Sequence, residues 1–478
     1  IDGDAVFDGM VGGTRLGELE VTGGAAINGG QVLTNGTQTY TGAVTLGASA
    51  GLTAADDILF SSTVDATTAG IDKLTLNAGA GSVTFSDVVG GVSGANRLGA
   101  VLINSATNVT VADAIPFNAL SIEQVAGSGT TTFGGTVSTT GQIGGGNVNG
   151  IDLNANNVQF KAGVTTTNNG AVRINNAGTL TIDNGANFNL DGAFTQVSTA
   201  DTGSVSLGGN ITSTNDAISF AKAVTLTNNV LMNTNTAGGN ITFSQTLSSD
   251  ALNSVTTART LGLTAGTGNV TFTGLVGNTN TLGAVTVTSA QNVTVNGLRA
   301  ASFAQTAGTG STTINTGAFT STEQGIATIA SAGVVINNDV ITINDSIDTT
   351  GAGVVRLTTD NGLLTVADVG DITADGAVQL TGSTGIQTAG DITTTADNVT
   401  FVSATTLTGN VAIDTSAGAG TVAFNSTLDS EASDANTLNI TADSGNIDFD
   451  GIVGGTTPLG AVTINSATNV TADLAFSA

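Results

Sequence analysis

VTFTGLVGNTNTLGAVTVTSAQNVTV, residues 270–295, is the stretch that decides the fold, because related copies of it occur three more times in the chain. The copies begin at Ala5, Val83 and Ile447, as AVFDGMVGGTRLGELEV, VTFSDVVGGVSGANRLGAVLINSATNVTV and IDFDGIVGGTTPLGAVTINSATNVT. Within them, short runs alternate apolar with small polar residues, which indicates half-buried strands. The Gly- and Asn-rich stretches between the runs indicate tight bends.

A longer period connects these copies. Leu46 and Leu226 are equivalent and lie 180 residues apart, and the equivalent Phe243 and Phe424 lie 181 apart. We therefore predict that residues 1–478 form one continuous solenoid of imperfect super-repeats. Because the chain begins and ends inside a super-repeat, we expect it to be a segment of a longer protein. The predicted boundaries are 1–30 (partial), 31–210, 211–391 and 392–478 (partial).

Aromatic residues recur every 20 to 29 residues at matching places in the super-repeats. This spacing is typical of one coil of a parallel β-helix, whose stacked coils share a core that no single coil could bury. At ~20–25 residues and ~4.8 Å per coil, the fold predicted is all-β: a parallel β-helix, or β-solenoid, of about 20 coils and about 100 Å. We predict that the equivalent aromatic side chains stack as an interior ladder: Tyr40, Phe60, Phe85, Phe220, Phe243, Phe272, Phe401, Phe424 and Phe449.

Two other folds fit the repeats less well. A string of β-sandwich modules would repeat every ~100 residues with strands every 8–12. A β-propeller would show a regular period of ~40–45 residues with blade signatures. The sequence has neither, so the β-solenoid is favoured.

Composition excludes several classes of function. The 36 acids and 9 bases give a net charge of −27, which repels nucleic acid and anionic lipid. The chain has no His and no Cys, so Ser–His–Asp and Cys–His catalysis, disulfides and Cys zinc sites are impossible. No apolar run approaches the ~20 residues of a membrane span, so none is expected in this segment.

The repeat style resembles that of very large bacterial surface proteins of the filamentous haemagglutinin-like, β-strand-repeat kind. The segments QTYTGAVTLG at Gln38, ILFSSTVD at Ile58 and LGAVLINSATNVTV at Leu98 carry this resemblance. It extends over most of the chain and is strongest in 38–112, 210–296 and 391–471. The resemblance implies a right-handed β-helix that is exported to the cell exterior and serves adhesion, aggregation or a surface fibre.

Carboxylates are the remaining candidates for chemistry. β-Helices can host polysaccharide-cleaving enzymes, whose sites need paired carboxylates. Close pairs occur at Asp2/Asp4, Asp56/Asp57, Asp345/Asp348 and Asp448/Asp450, but matching copies do not share them, and we interpret them as solvent-facing strand or bend residues. We expect no enzyme activity and no cofactor, with calcium as the one ion kept open, because it binds oxygen ligands from loops. The weak calcium candidates are Asp2, Asp4, Asp56 and Asp57.

Threonine and arginine allow two further predictions. The runs Thr130–Thr132 and Thr165–Thr167 raise an ice- or surface-binding hypothesis, which needs threonine on one face of every coil. Because the runs recur irregularly, the sequence argues against that array. Arg173 and Arg356 hold equivalent places between apolar neighbours, and we expect each to point outwards and pair with an acid on an adjacent coil.

Together these patterns predict an extracellular structural or adhesive solenoid on a bacterial cell surface, acting by length, rigidity and repetitive surface. The expected partners are further copies, end to end or side by side, or a host, neighbouring-cell or matrix surface. The alternative is a polysaccharide-binding or polysaccharide-cleaving β-helix, for which one Tyr and no Trp are poor stacking material.

Overall fold

The computed structural model describes residues 1–144, 148–197, 202–251, 256–317, 319, 325–432 and 434–478. These residues form β-strands and no helix, and every strand pair is parallel. The strands stack in about 20 coils, which confirms the predicted all-β parallel β-solenoid. Contacts group the residues into two compact units, Ile1–Gly239 (unit 1) and Asn240–Ala478 (unit 2). That a single solenoid runs through both units stays a prediction.

Unit 1 contains 29 described strands. They are β1 Ala5–Phe7, β2 Val11–Leu16, β3 Leu19–Val21, β4 Ala25–Ile27, β5 Gly30–Thr34, β6 Gln38–Tyr40, β7 Val44–Leu46, β8 Ala50–Thr53, β9 Ile58–Phe60, β10 Val64–Ala66, β11 Leu74–Asn77, β12 Val83–Phe85, β13 Leu98–Ser105, β14 Val109–Val111, β15 Phe117–Gln124, β16 Thr130–Phe133, β17 Val137–Thr139, β18 Asn149–Ala155, β19 Asn157–Phe160, β20 Val164–Thr166, β21 Ala171–Asn176, β22 Thr179–Ile182, β23 Phe188–Leu190, β24 Phe194–Val197, β25 Ser204–Leu207, β26 Ile211–Ser213, β27 Ile218–Phe220, β28 Ala223–Leu226 and β29 Val230–Asn233.

Unit 2 contains 27 described strands. They are β30 Ile241–Phe243, β31 Leu247–Ser249, β32 Leu261–Thr264, β33 Val270–Phe272, β34 Leu282–Ser289, β35 Val293–Val295, β36 Leu298–Gln305, β37 Ser311–Ile314, β38 Ile326–Thr328, β39 Val334–Asn338, β40 Val340–Ile343, β41 Ile347–Thr349, β42 Val355–Thr359, β43 Leu364–Val366, β44 Ile372–Ala374, β45 Val378–Gly382, β46 Ile386–Thr388, β47 Ile392–Thr394, β48 Val399–Phe401, β49 Thr405–Leu407, β50 Val411–Asp414, β51 Val422–Phe424, β52 Leu428–Ser430, β53 Leu438–Thr441, β54 Asn446–Phe449, β55 Val462–Ser466 and β56 Asn469–Ala472.

Each coil contributes one strand to each of three parallel sheets. In unit 1, successive strands of sheet A begin β1–β4–β7, those of sheet B β2–β5–β8 and those of sheet C β3–β6–β9. In unit 2, sheet D begins β30–β33–β35, sheet E contains β38–β41–β44, and sheet F begins β32–β34–β36. The long strands β15 and β36 turn a corner, and each pairs in two sheets.

The core follows from the three-residue pattern apolar–polar–apolar. In β33, for example, Val270 and Phe272 are fully buried while Thr271 between them is half-buried and faces outwards. Because side chains alternate across a strand, the first and third residues point into the solenoid and the second points to solvent. Inward residues of successive coils are register partners, as Ile241, Val270 and Val293 are, so the core is continuous within each unit.

Asparagine side chains hold the corners. In unit 1 the side-chain oxygen of Asn108 accepts the backbone N–H of Thr130 at 2.9 Å. In unit 2 the side-chain oxygen of Asn240 accepts the N–H of Asn269 at 2.9 Å. The partner lies one coil further on in both cases, so the side chain satisfies a backbone donor that the bend removes from the ladder.

The glycine of the repeated VGG or VGN motif has a steric cause. Gly90, Gly277 and Gly454 occupy this place in three copies and have φ values of +74°, +73° and +67°. A Cβ at any of them would collide with a carbonyl oxygen of the following coil. Only glycine combines that backbone conformation with that close approach.

The nine predicted ladder aromatics all lie in the interior, at most 2% exposed. Equivalent members lie on different sheets, although ring contacts of 5.1–5.8 Å continue within unit 1 from Phe85 through five further phenylalanines to Phe220. In unit 1, Tyr40 and Phe60 stack with ring centroids 5.4 Å apart on sheet C. Phe220, the equivalent of Tyr40 one super-repeat later, lies on sheet B. In unit 2, Phe243 and Phe272 stack at 5.5 Å on sheet D, whereas Phe401, Phe424 and Phe449 stack on sheet F.

This separation arises because the super-repeat does not contain a whole number of coils. In unit 2, seven coils lead from β30 to β49, and two more strands, β50 and β51, lead to the equivalent Phe424. In unit 1, seven coils and two strands likewise separate Tyr40 on β6 from Phe220 on β27. Each super-repeat therefore moves every equivalent residue to a neighbouring sheet.

Tyr40 gives a pH-dependent prediction. Burial raises the pKa of its phenol, whose hydroxyl donates to Oε1 of Gln38 at 3.1 Å. The unfolded chain ionises near pH 10, so this stabilisation is complete below that pH and is lost as the pH rises towards the folded-state pKa. We expect the tyrosinate absorbance to appear together with loss of β circular dichroism.

The variant Tyr40→Phe serves as the control, because Phe220 and Phe401 stand at the equivalent places. It removes the ionisable group, so its alkaline unfolding should move to higher pH. Tyrosinate formation near pH 10 with the fold intact would contradict the buried position.

Candidate functional site

Arg173 forms the ion pair expected of it across adjacent coils. Asp152 on β18 and Arg173 on β21 are register partners, and Nη1 lies 2.9 Å from Oδ1. Asn149 donates to the other carboxylate oxygen at 2.9 Å. The Asp152 side chain is 11% exposed, so the pair is partly shielded from water. The equivalent Arg356 on β42 is exposed and makes no ion pair with a described residue, so the same expectation was wrong there.

Replacing Arg173 with leucine should lower the free energy of unfolding by about 1–3 kcal/mol, because the largely buried carboxylate of Asp152 loses its charged partner. Arg356→Leu is the matched control and should change it by no more than about 0.5 kcal/mol. Urea denaturation followed by circular dichroism measures both. Equal effects of the two substitutions would show that the Arg173 pair is not stabilising.

Two of the four calcium candidates accept backbone hydrogen bonds, and the two pairs of candidates precede strands of different sheets. Asp4 Oδ1 accepts the N–H of Gly24 at 2.7 Å before sheet A, and Asp57 Oδ1 accepts the N–H of Ser82 at 2.7 Å before sheet C. Asp2 and Asp56 are exposed beside them. Within the described ranges, no three acidic side chains come together in a group that could hold a metal ion. The structure thus gives these four residues corner positions.

Other acids also act at corners. The backbone N–H of Ala352 donates to Asp375 at 2.8 Å and the Thr395 hydroxyl donates at 2.8 Å, which together hold the pKa of that carboxyl below its usual range. Asp345 is buried, and its Oδ1 accepts the N–H of Ser346 at 2.7 Å. Asp448 occupies the outward middle position of β54.

Two surface recesses have linings of chemical interest. One, of about 410 Å³ in unit 1, is lined by small side chains and by the amides of Asn154, Asn156 and Asn175. The other, of about 260 Å³ in unit 2, has Arg299 and Asp348 at register positions on either side of Ala327. Neither recess contains a Ser–His or Cys–His arrangement, because the chain has no histidine or cysteine.

Sheet D carries a feature that the sequence reasoning missed. The outward middle residues of six successive strands are all threonine, and each is the register partner of the next. We name this column the threonine track: Thr242, Thr271, Thr294, Thr313, Thr342 and Thr365. Each side chain is half-buried, and none of the six hydroxyls hydrogen-bonds to a described residue.

The sequence does contain the threonines of the track, but as single residues at strand centres and not as runs. Runs such as Thr165–Thr167 alternate between inside and outside, so they do not mark a face. The informative residue is the single threonine at the centre of VTF, ITF, VTV and ITI, whose register becomes known only when the coil lengths are known. Register partners lie 18 to 31 residues apart, which conceals the regularity.

Comparison with known proteins gives no relative: no family model, no curated protein and no solved structure matches the chain. The described residues contain no helix long and apolar enough to cross a membrane.

Proposed function

We propose that this chain is a structural or adhesive segment of a bacterial cell-surface fibre or adhesin. The observation that carries the proposal is the uninterrupted coil-on-coil stacking within each unit, in which successive strands pair in parallel and share one core. Such an architecture supplies length and a repeated surface. The outward positions carry that surface, and many copies of one weak contact add up to firm attachment.

Export to the cell exterior is part of the same proposal. Only 9% of the residues are charged, but they give a net charge of −27. The repulsion between copies keeps a large β-structure from associating unspecifically. The absence of cysteine makes the fold independent of the redox state of its surroundings. Because each coil pairs only with the coils before and after it, copies stacked end to end could make the same contacts.

Electron microscopy of the native cells, with antibodies against this segment, tests the proposal. Labelled rods or fibres at the cell surface, with an axial spacing near ~4.8 Å, are the expected result. Label confined to the cell interior, or compact particles after purification, would contradict it. Mild protease treatment of intact cells is the control, since it should remove the label only from exposed protein.

A further inference from the structure

The threonine track places free hydroxyl groups in a straight line. Neighbouring strands are ~4.8 Å apart, so the six threonines extend over about 24 Å along the stack of coils. The inward Thr349 differs, because its hydroxyl donates to the carbonyl oxygen of Gly353. The track hydroxyls therefore keep their hydrogen-bonding capacity for a group outside the described residues.

Three asparagines lie beside the track on each side, over different coils. On one side, Asn292 Nδ2 donates to Oδ1 of Asn269 at 2.8 Å, and on the other, Asn344 Nδ2 donates to Oδ1 of Asn315 at 3.2 Å. The flanking positions, two residues before and after each threonine, carry no charge in a chain of net charge −27. They are Asn240, Ser244, Asn269, Thr273, Asn292, Asn296, Ser311, Asn315, Val340, Asn344, Leu363 and Ala367.

A related column, in which Gln159 and Ser206 interrupt the threonines, occurs in unit 1. On sheet C of unit 1, the outward middle residues of β12, β14 and β16 are register partners, and the column continues through β28. Five of its threonines stand at the super-repeat equivalents of threonines on sheet D, and their hydroxyls also make no hydrogen bond to a described residue. The pairs are Thr84/Thr271, Thr110/Thr294, Thr132/Thr313, Thr181/Thr365 and Thr225/Thr406.

We propose that the threonine track binds an uncharged linear polysaccharide that lies along the stack of coils. Hydroxyls and amides both donate and accept hydrogen bonds, as the hydroxyls of a sugar chain do. A single line of outward hydroxyls, with asparagine amides beside part of it, matches a chain-like ligand, and each coil adds one weak contact to the total. This inference rests on the proposed function, since it needs a surface-exposed solenoid.

Two other occupants fit the face less well. An ice surface is two-dimensional, whereas the track has one threonine per strand, and only one of its twelve flanking residues is threonine. The track is about 24 Å long and one side chain wide, so a second copy seated on it alone would bury far less than the ~800 Å² per partner of a stable protein interface. The linear polymer is the occupant that the geometry supports.

Affinity electrophoresis of the whole chain through gels containing mannan, laminarin or dextran tests the inference, with alginate as the acidic comparison. At least one neutral polymer should retard the protein, equally at low and high salt. The variant Thr294→Val/Thr313→Val/Thr342→Val keeps the shape of the track but removes three hydroxyls, and should bind at least about tenfold more weakly. The matched control is Thr286→Val/Thr393→Val/Thr400→Val, outward threonines of sheets E and F, which should bind normally.

The inference is overturned if no neutral polymer retards the protein, if only alginate does, or if both variants lose binding equally. Inhibition of ice recrystallisation that only the track variant loses would assign the face to ice instead. Failure of the proposed function is a separate result: fibres at the cell surface without polysaccharide binding leave that function standing, and intracellular protein removes it.

Discussion

Replacing Val270 with aspartate is expected to unfold at least the surrounding coils, at a cost of more than about 4 kcal/mol. Val270 is fully buried between its register partners Ile241 and Val293, so the new carboxylate would enter an apolar core without a partner. If the aspartate side chain is ionised, its charge loses its hydration. If it is protonated, it still buries a hydroxyl group without a hydrogen-bond partner. Urea denaturation and hydrogen exchange at β30, β33 and β35 measure the effect.

Thr271→Asp is the matched control, one residue away on the same strand. Thr271 faces outwards, and Asp448 stands at the equivalent position of the last super-repeat, so the fold already accepts a carboxylate there. We expect a change within about 0.5 kcal/mol. Similar losses from the two substitutions would contradict the alternation of inward and outward side chains on which the fold depends.

Phe424→Ala should have the second-largest effect, a loss of about 3–5 kcal/mol. The ring is 2% exposed and is stacked between Phe401 at 4.5 Å and Phe449 at 5.4 Å, nearly parallel to both. Removing it leaves a cavity that the rigid strands on either side cannot close, and it ends both ring contacts. Thermal and urea unfolding measure the loss.

Phe424→Leu distinguishes stacking from burial. Leucine fills most of the space but cannot stack, so a loss of about 1–2 kcal/mol is expected. Hydrogen exchange should increase most in β48, β51 and β54, the register partners of the affected coil. An alanine variant as stable as the leucine variant would show that the phenylalanine is not packed as described.

The stacking of parallel coils could be predicted from the sequence because it depends on local patterns. Copies of VTF and VTV with polar bends define strands, and their recurrence requires neighbours to bury the apolar face. The arrangement of equivalent residues could not be predicted in the same way. At two places the sequence pattern does not show how many strands a coil contains. Val89 alone bridges two neighbouring coils, and β15 pairs in two sheets, so both change the number of strands per super-repeat.

The number of strands per super-repeat affects the surface as well as the core. One super-repeat covers seven coils and two strands, so a feature repeated in the sequence reappears on a neighbouring sheet. A ladder predicted from sequence equivalence was therefore divided among sheets. The threonine track was missed for the opposite reason, because its members come from different positions within the super-repeat and are united only by register.

Distance measurement by pulsed electron paramagnetic resonance tests the central claim most directly, and the chain has no native cysteine to interfere with labelling. Spin labels on Thr242→Cys/Thr365→Cys, five coils apart on sheet D, should lie about 24 Å apart. Labels on Thr242→Cys/Thr406→Cys, seven coils apart, should lie about 34 Å apart. Distances that grow by about 4.8 Å per coil, whatever the number of residues between the labels, are the predicted result. Distances that follow sequence separation instead would contradict the solenoid.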